Sequence, residues 1–308
     1  MSKKRLAAAI AGLALLGGAS SSFAIDTLVQ YSTTGAGDGV NNGAAGGYDV
    51  TGILAFDWQS SGDLVIENSI TVNGAANTLA DYFGGGLATA GDKVEFNIHA
   101  QARLNDMLNA ANASIAPSTL VTDGASSGFE ITAVLDAVET GTVGFDVNGN
   151  AKVEFSSITG QTLWYHDDSP DSVVKTGAGF KDGVNILTAD LVDVFGSFTA
   201  GKGGDNQLTT KVTNYDSSYI QTDPTANSPL IGTSFDTLIN IATSLEDQVQ
   251  VGGVIGDPYT VQALDQVFKA DANSKFSGVP EPATLFLFGA GLLGLAGFGR
   301  RSGTTQVA

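Results

Sequence analysis

The 308-residue chain has no cysteine, two histidines, two tryptophans, and only 14 lysines and arginines against 32 aspartates and glutamates. Without cysteine there are no disulfides, thiolate metal sites or cysteine nucleophiles. Two histidines leave little material for a histidine-rich metal centre. The shortage of basic residues argues against nucleic acid as a partner, because phosphate binding needs clustered Lys and Arg to release counterions. Proline is also scarce, with seven residues. What the chain does have is glycine, 40 residues, a net charge of −18, and 43% apolar residues. That apolar share is enough for a core and excludes wholesale disorder.

The long apolar runs lie at the two ends. Lys3, Lys4 and Arg5 precede an apolar run from Leu6 to Leu16, and Ser22-Phe23-Ala24 supplies the small residues read by a signal peptidase. Residues 1–24 therefore read as a signal peptide cut after Ala24. An 11-residue run is too short to cross a hydrocarbon layer of ~30 Å. At the other end, Val279-Pro280-Glu281-Pro282 precedes an uncharged stretch of 17 residues, Ala283 to Gly299, and then Arg300-Arg301. The two prolines forbid helix just before the apolar segment. As a helix that segment spans roughly 25 Å, near the short limit for a bilayer. Five of its residues are glycine, which suits a transient stop better than a lasting anchor. The arginine pair holds the end in the cytoplasm.

This C-terminal layout is similar to the PEP-CTERM sorting signal of Gram-negative bacteria. The resemblance implies a sorting signal at 279–301 made of the motif, a transmembrane sorting helix and the arginine pair, a cytoplasmic tail at 302–308, and recognition by an exosortase. It further implies transient anchoring in the inner membrane, delivery to the cell surface or extracellular matrix, and the company of exopolysaccharide.

Residues 25–278 form the body. Without the terminal segments it keeps 9 basic and 31 acidic residues, a net charge near −22 that favours solubility. Its dominant period is two. Val94, Phe96, Ile98, Ala100 and Ala102 alternate with Glu95, Asn97, His99, Gln101 and Arg103, the pattern of a half-buried strand. Leu64, Ile66, Ile70 and Val72 share one parity, with Asn68 as the exception. Phe129, Ile131, Ala133 and Leu135 share another, although Val134 interrupts the polar face. A hairpin reads best with a three-residue loop Asn148-Gly149-Asn150, which sets 145 opposite 153 and 143 opposite 155 and places Asn150 in the left-handed position. Leu104, Met107, Leu108 and Ala111 have the spacing of a short helix or turn. Residues 237–245 favour strand through Ile239, Ile241 and Thr243. The expected fold is all-β, an antiparallel β-sandwich of jelly-roll type.

Candidate chemistry is sparse. Gly124-Ala125-Ser126-Ser127-Gly128 matches a hydrolase elbow, but a strand follows where that motif needs a helix. His99, on the polar parity of its strand, is expected to face solvent. The Asp146-Val147-Asn148-Gly149-Asn150 run opens like a calcium loop, then fails at Ala151 and Ser157. Trp164, Tyr165, His166, Asp167, Asp168 and Asp171 form the leading candidate for glycan or cation contact. Aromatic faces pack on pyranose rings, and clustered carboxylates attract cations. Calcium on Asp-rich loops is left open at no particular position. No carboxylate pair stands out as a glycosidase acid and base, and no catalytic residue is expected.

Three stretches resemble the flocculation-associated PEP-CTERM family: Phe56-Asp57-Trp58 before Gly62-Asp63-Leu64, Gly177-Ala178-Gly179-Phe180-Lys181-Asp182-Gly183, and Lys269-Ala270-Asp271-Ala272-Asn273-Ser274-Lys275-Phe276. Lys269 departs from the family's Gln, and Gln59-Ser60-Ser61 from its Pro-containing turn. The resemblance implies a non-enzymatic extracellular protein that promotes cell aggregation, in flocs or biofilm, together with exopolysaccharide. The alternatives are a secreted carbohydrate-active enzyme or a calcium-dependent glycan-binding module on a β-sandwich.

Overall fold

The two-residue period along residues 93–103 continues in the structure as one strand of 16 residues, with the apolar side chains buried and their neighbours on the opposite face. The computed structural model describes residues 28–35, 48–122, 127–199, 202–222, 230–242, 248–256 and 258–277. The signal peptide, the sorting motif with its apolar segment, and the residues Gly124-Ala125-Ser126 lie outside the described residues.

In chain order the strands are β1 (Val29–Tyr31), β2 (Val50–Ile53), β3 (Ala55–Trp58), β4 (Gly62–Val72), β5 (Ala75–Thr78), β6 (Lys93–Leu108), β7 (Glu130–Phe145) and β8 (Ala151–Asp167). They continue with β9 (Val184–Thr199), β10 (Gly203–Tyr215), β11 (Ile220–Thr222), β12 (Ser234–Ala242), β13 (Val254–Ile255), β14 (Tyr259–Thr260) and β15 (Gln266–Ser277). β3 and β4 run in line along β6, β3 against residues 104–108 and β4 against 94–101, so together they fill one strand position. β6 to β10 then follow one another as antiparallel neighbours, and β12 pairs with β10. β15 pairs with β12 on one side and with β3 and β4 on the other, which closes the ring.

The result is an eight-stranded antiparallel barrel, and the expected jelly-roll sandwich is corrected accordingly. Both folds bury one face of every strand and share the same alternation. What separates them is whether the last strand pairs with the first, and here residues 273–275 pair with 55–57. Long strands must coil to close, and glycine permits the bends. At Gly160 of β8 (φ 147°) a Cβ would lie 2.1 Å from the Asp136 carbonyl oxygen of β7. At Gly196 of β9 (φ 145°) it would lie 2.2 Å from the Asp205 carbonyl oxygen of β10.

The helical spacing expected at Leu104, Met107 and Leu108 is corrected to strand. The register slips between Asp57 and Trp58, whose partners are Asp106 and Leu104. The resulting bulge at Asn105 turns both Leu104 and Met107 into the core three residues apart. Residues 234–242 are strand, as the alternation of Ile239 and Ile241 predicts, while 243–245 of that stretch lie outside the described residues. The 143–155 hairpin also shifts register, pairing Phe145 with Ala151 and Val143 with Val153. Asp146 decides this: its carboxylate accepts the N–H groups of Asn148 and Asn150 and the Asn150 side-chain amide. Gly149, not Asn150, takes the positive φ, at 81°. Those same bonds occupy the oxygens that a calcium loop would have offered.

The barrel interior holds two apolar clusters. One gathers Phe96, Ile98, Val153, Phe198 and Phe268. The other joins Phe56, Trp58, Trp164, Phe235 and Phe276 to Val29, Tyr31, Ile53 and Ile220 of the small antiparallel sheet β11-β1-β2. Between them a belt of small side chains, including Ala100, Ala102, Ala133 and Ala270, leaves a cavity of about 60 Å³. Among the described residues one acidic side chain points inward: Glu139, 1% exposed, shares the parity of Leu135, Ala137 and Val143. Its Oε1 finds no hydrogen-bond partner, and burial pushes its carboxyl up to about 8.

Candidate functional site

The outer face of the barrel is covered by two segments, residues 168–183 between β8 and β9 and residues 248–256 with 258–262 before β15. This cover explains Val134, the apolar residue on the outward parity of β7, which packs with Tyr165 and Phe180. A second outer cluster holds Val65 against Val249, Ile255 and Val261. The two segments also bond to each other, through Gln250 N–H to Lys175 O (3.0 Å) and Val254 N–H to Thr176 O (2.9 Å).

Three polar fastenings tie this cover to the wall. The first is an ion pair buried on both sides, Arg103 Nε to Glu130 Oε2 at 3.0 Å. Glu130 also accepts the N–H groups of Asp171 and Ser172 and the Ser172 hydroxyl, while Arg103 donates to that hydroxyl and to the Ser172 carbonyl. Every lone pair of Glu130 that could matter is thereby used, which is what makes a buried charge tolerable.

The second fastening is Asp63, fully buried, whose Oδ2 accepts the Val249 N–H at 3.1 Å. Desolvation raises its carboxyl to about 7, against smaller opposing effects of the Val249 bond, of Lys269, its cross-strand partner, and of the Gln101 side-chain amide. The third is His99, expected in solvent but held under the cover. Its Nε2 lies 3.0 Å from Glu67, its Nδ1 2.5 Å from Asp136, and its ring stacks on Tyr259 at 4.2 Å. Burial pulls its pKa down, but the two carboxylates outweigh that and the net shift is upward.

The residues singled out at 164–171 alternate across the wall. Trp164 points inward, 1% exposed, with ring contacts to Phe56, Trp58, Phe235 and Phe276 at 4.9–6.0 Å. Its faces belong to the core. Trp58 is likewise buried and donates to the Ser274 hydroxyl. Tyr165 points outward beneath Phe180. His166 is buried again, between Phe129 and Tyr219, with Nδ1 at 2.5 Å from the Tyr31 hydroxyl and Nε2 at 3.0 Å from Asp168. A neutral imidazole protonated on Nε2 would donate to Asp168 and accept from Tyr31, satisfying all three groups.

Asp167 and Asp171 do come together. With Glu130 they bring carboxylate oxygens within 4.8 Å of one another. The pKa of Asp171 is raised, first by Asp182, then by desolvation and by Asp167. Such crowding of like charge is what a cation relieves, and Asp167 and Asp171 are the residues that could hold one, since the Glu130 oxygens are already engaged.

Among the described residues no helix is long and apolar enough to cross a membrane. Structure and sequence together define an acidic all-β barrel whose closing strand runs directly into a sorting segment. Residues 278–301 match the PEP-CTERM protein-sorting motif, which indicates an exported, cell-surface-targeted protein with an exosortase as processing partner. Val279, Pro280, Glu281, Pro282, Arg300 and Arg301 all fall within that match. No curated protein and no solved structure matches the chain.

Proposed function

We propose that the exported barrel promotes aggregation of cells, in flocs or biofilm, by associating with exopolysaccharide, and that it does so without catalysing a reaction. The sorting motif at 278–301 carries this proposal, since it directs the chain to the surface where polymer is met. The three stretches similar to the flocculation-associated family support it. Two of them are neighbours in the fold: Lys269 pairs with Asp63, and Asn273 with Asp57. A strain lacking the gene should grow dispersed while making normal amounts of polymer, and re-expression should restore settling. Normal settling of the deletion strain would refute the proposal.

A second version, calcium-dependent binding, is favoured by the Asp167 and Asp171 carboxylates, which crowd together beside Glu130. In that case chelator should disperse the cells and Asp171→Asn should reproduce the effect without chelator. Polymer binding that resists chelation would rule out this version alone.

A further inference from the structure

We propose that the outer face of β9, β10 and β12 binds the amino-sugar units of a cationic polysaccharide, one whose amino groups are free rather than acetylated, by stacking on Phe195 between rows of carboxylates. This rests on the reading above that the body meets polysaccharide, and it names the class of polymer and the place of contact. The cover leaves this part of the wall bare. Phe195 is 79% exposed and Leu238 59%, although both lie within strands rather than in loops.

The register fixes a grid. Phe195 of β9, Gln207 of β10 and Leu238 of β12 are cross-strand partners on the outward parity. The two apolar side chains are therefore about 10 Å apart, two strand spacings, with an amide between them. The next row on one side is Asp193, Thr209 and Asp236, and on the other Ser197, Asp205 and Asn240. Each lies roughly 7 Å from the apolar row along the strands. An apolar strip is thus flanked by carboxylates on both sides. Two of these are held in place: Asp236 accepts the Thr209 hydroxyl at 2.7 Å, and Asp205 accepts the Asn240 amide at 3.0 Å. Asp205 is exposed and Asp236 half-buried. Among the described residues no protein donor reaches the second oxygen of either.

A cleft of about 410 Å³ is lined by Phe195, Asp205, Gln207, Leu238 and Asn240, within the range of about 300–1,000 Å³ usual for small-ligand clefts. Its chemistry fits a hexosamine. The C–H face of a pyranose packs on an aromatic ring, and its hydroxyls find the amides of Gln207 and Asn240. Its ammonium meets a carboxylate, a charge-assisted bond stronger than a neutral one. Charge decides among the occupants. Asp190 lies opposite Lys211 in register, which leaves Asp193, Asp205 and Asp236 opposite uncharged residues of these three strands. An anionic glycan is repelled by that pattern, and a neutral one leaves it unmatched. A second copy of the chain brings the same net charge of −18. A metal ion has no use for the aromatic strip.

The full chain should be titrated by calorimetry, at about pH 6 and low salt, with a glucosamine hexamer, its N-acetylated counterpart, a galacturonate hexamer and hexalysine. The glucosamine hexamer should bind with a Kd of about 1 mM or tighter, at least about tenfold tighter than the other three. Its affinity should fall as salt is raised to about 0.3 M, because exposed charge pairs are screened. Phe195→Ser removes the platform from an exposed position and should weaken binding at least about tenfold at an unchanged melting temperature. Asp205→Asn should weaken it about threefold or more and lessen the salt dependence. Glu95→Gln makes the same charge change on an exposed position of β6, across the barrel, and should leave binding unchanged. Equal affinity for the acetylated hexamer would overturn the proposal, because charge is then not read. Equal affinity for hexalysine would do so because sugar is not. Full affinity in Phe195→Ser, or equal losses in Asp205→Asn and Glu95→Gln, would overturn it as well. If the glucosamine hexamer does not bind but the deletion strain still disperses, the face fails and the aggregation role survives. Binding by a protein whose deletion leaves settling normal would support the face and refute aggregation.

Discussion

Asp63 and Glu139 are carboxyls that the fold keeps from water, one beneath the cover and one inside the barrel. Their pKa values rise from 3.8 to about 7 and from 4.5 to about 8, with desolvation as the leading cause in both. A carboxyl that binds its proton more tightly folded than unfolded costs the fold nothing below its unfolded value. The cost grows as pH climbs through the interval to the folded value. His99 acts in the same sense, because its raised pKa stabilises the fold below 6.5 and that gain is lost at higher pH. Asp146, lowered to about 2, runs the other way, but its contribution is lost only as pH falls below 3.8. The melting temperature should therefore decline steadily between about pH 4 and 8. Asp63→Asn should flatten the lower part of that decline and Glu139→Gln the upper part. Thermal melts followed by circular dichroism across this range check it, and a melting temperature that rises with pH would contradict the assignment. None of this was legible in the sequence. Asp63 and Glu139 look like any of the chain's acids until the cover and the barrel wall remove their water.

At the scale of the strand, local pattern carried much of the fold. The parity of residues 94–102 and 129–135 gave the inward faces, and the exception at Val134 marked where a second layer lies on the barrel. The period failed where a strand bends. A bulge at Asn105 imitates helical spacing, and the Asp146 carboxylate moved a turn by capping earlier than the apolar pattern implied. Gly160 marks another bend, in the middle of β8. Gly160→Ala would press a methyl group against the backbone of Asp136 and Ala137, which cannot retreat without opening the β7–β8 ladder. Overpacking of this kind, added to a positive φ, should destabilise the protein by at least about 2–3 kcal/mol. Urea denaturation measures it. A loss below about 0.5 kcal/mol, the usual range for neutral surface changes, would mean that β8 does not need its glycine.

For the whole molecule the decisive pairing is the one between β15 and both β12 and the β3–β4 position, and no local pattern announces it. The candidate site shares this property. His99 depends on Glu67 and on Tyr259, 160 residues further on, and Glu130 depends on Ser172. Chain order separates these groups, and only barrel closure with its outer cover brings them together. Closure also constrains processing. β15 contributes Phe268 and Phe276 to the two interior clusters and ends at Ser277, next to the first residue of the sorting motif. A cut that removed part of β15 would expose the edges of β12 and of the β3–β4 position, and unpaired strand edges invite aggregation. The mature protein should therefore retain every residue through Phe276, with its new C-terminus at Ser277 or beyond. Mass spectrometry of the form released from cells or held on their surface reads this directly. A chain ending at Ser277 should melt cooperatively at the temperature of the processed protein, whereas one ending at Asp265 should be insoluble. A native mature form lacking Phe276 would show that the barrel does not rely on β15 for its seam.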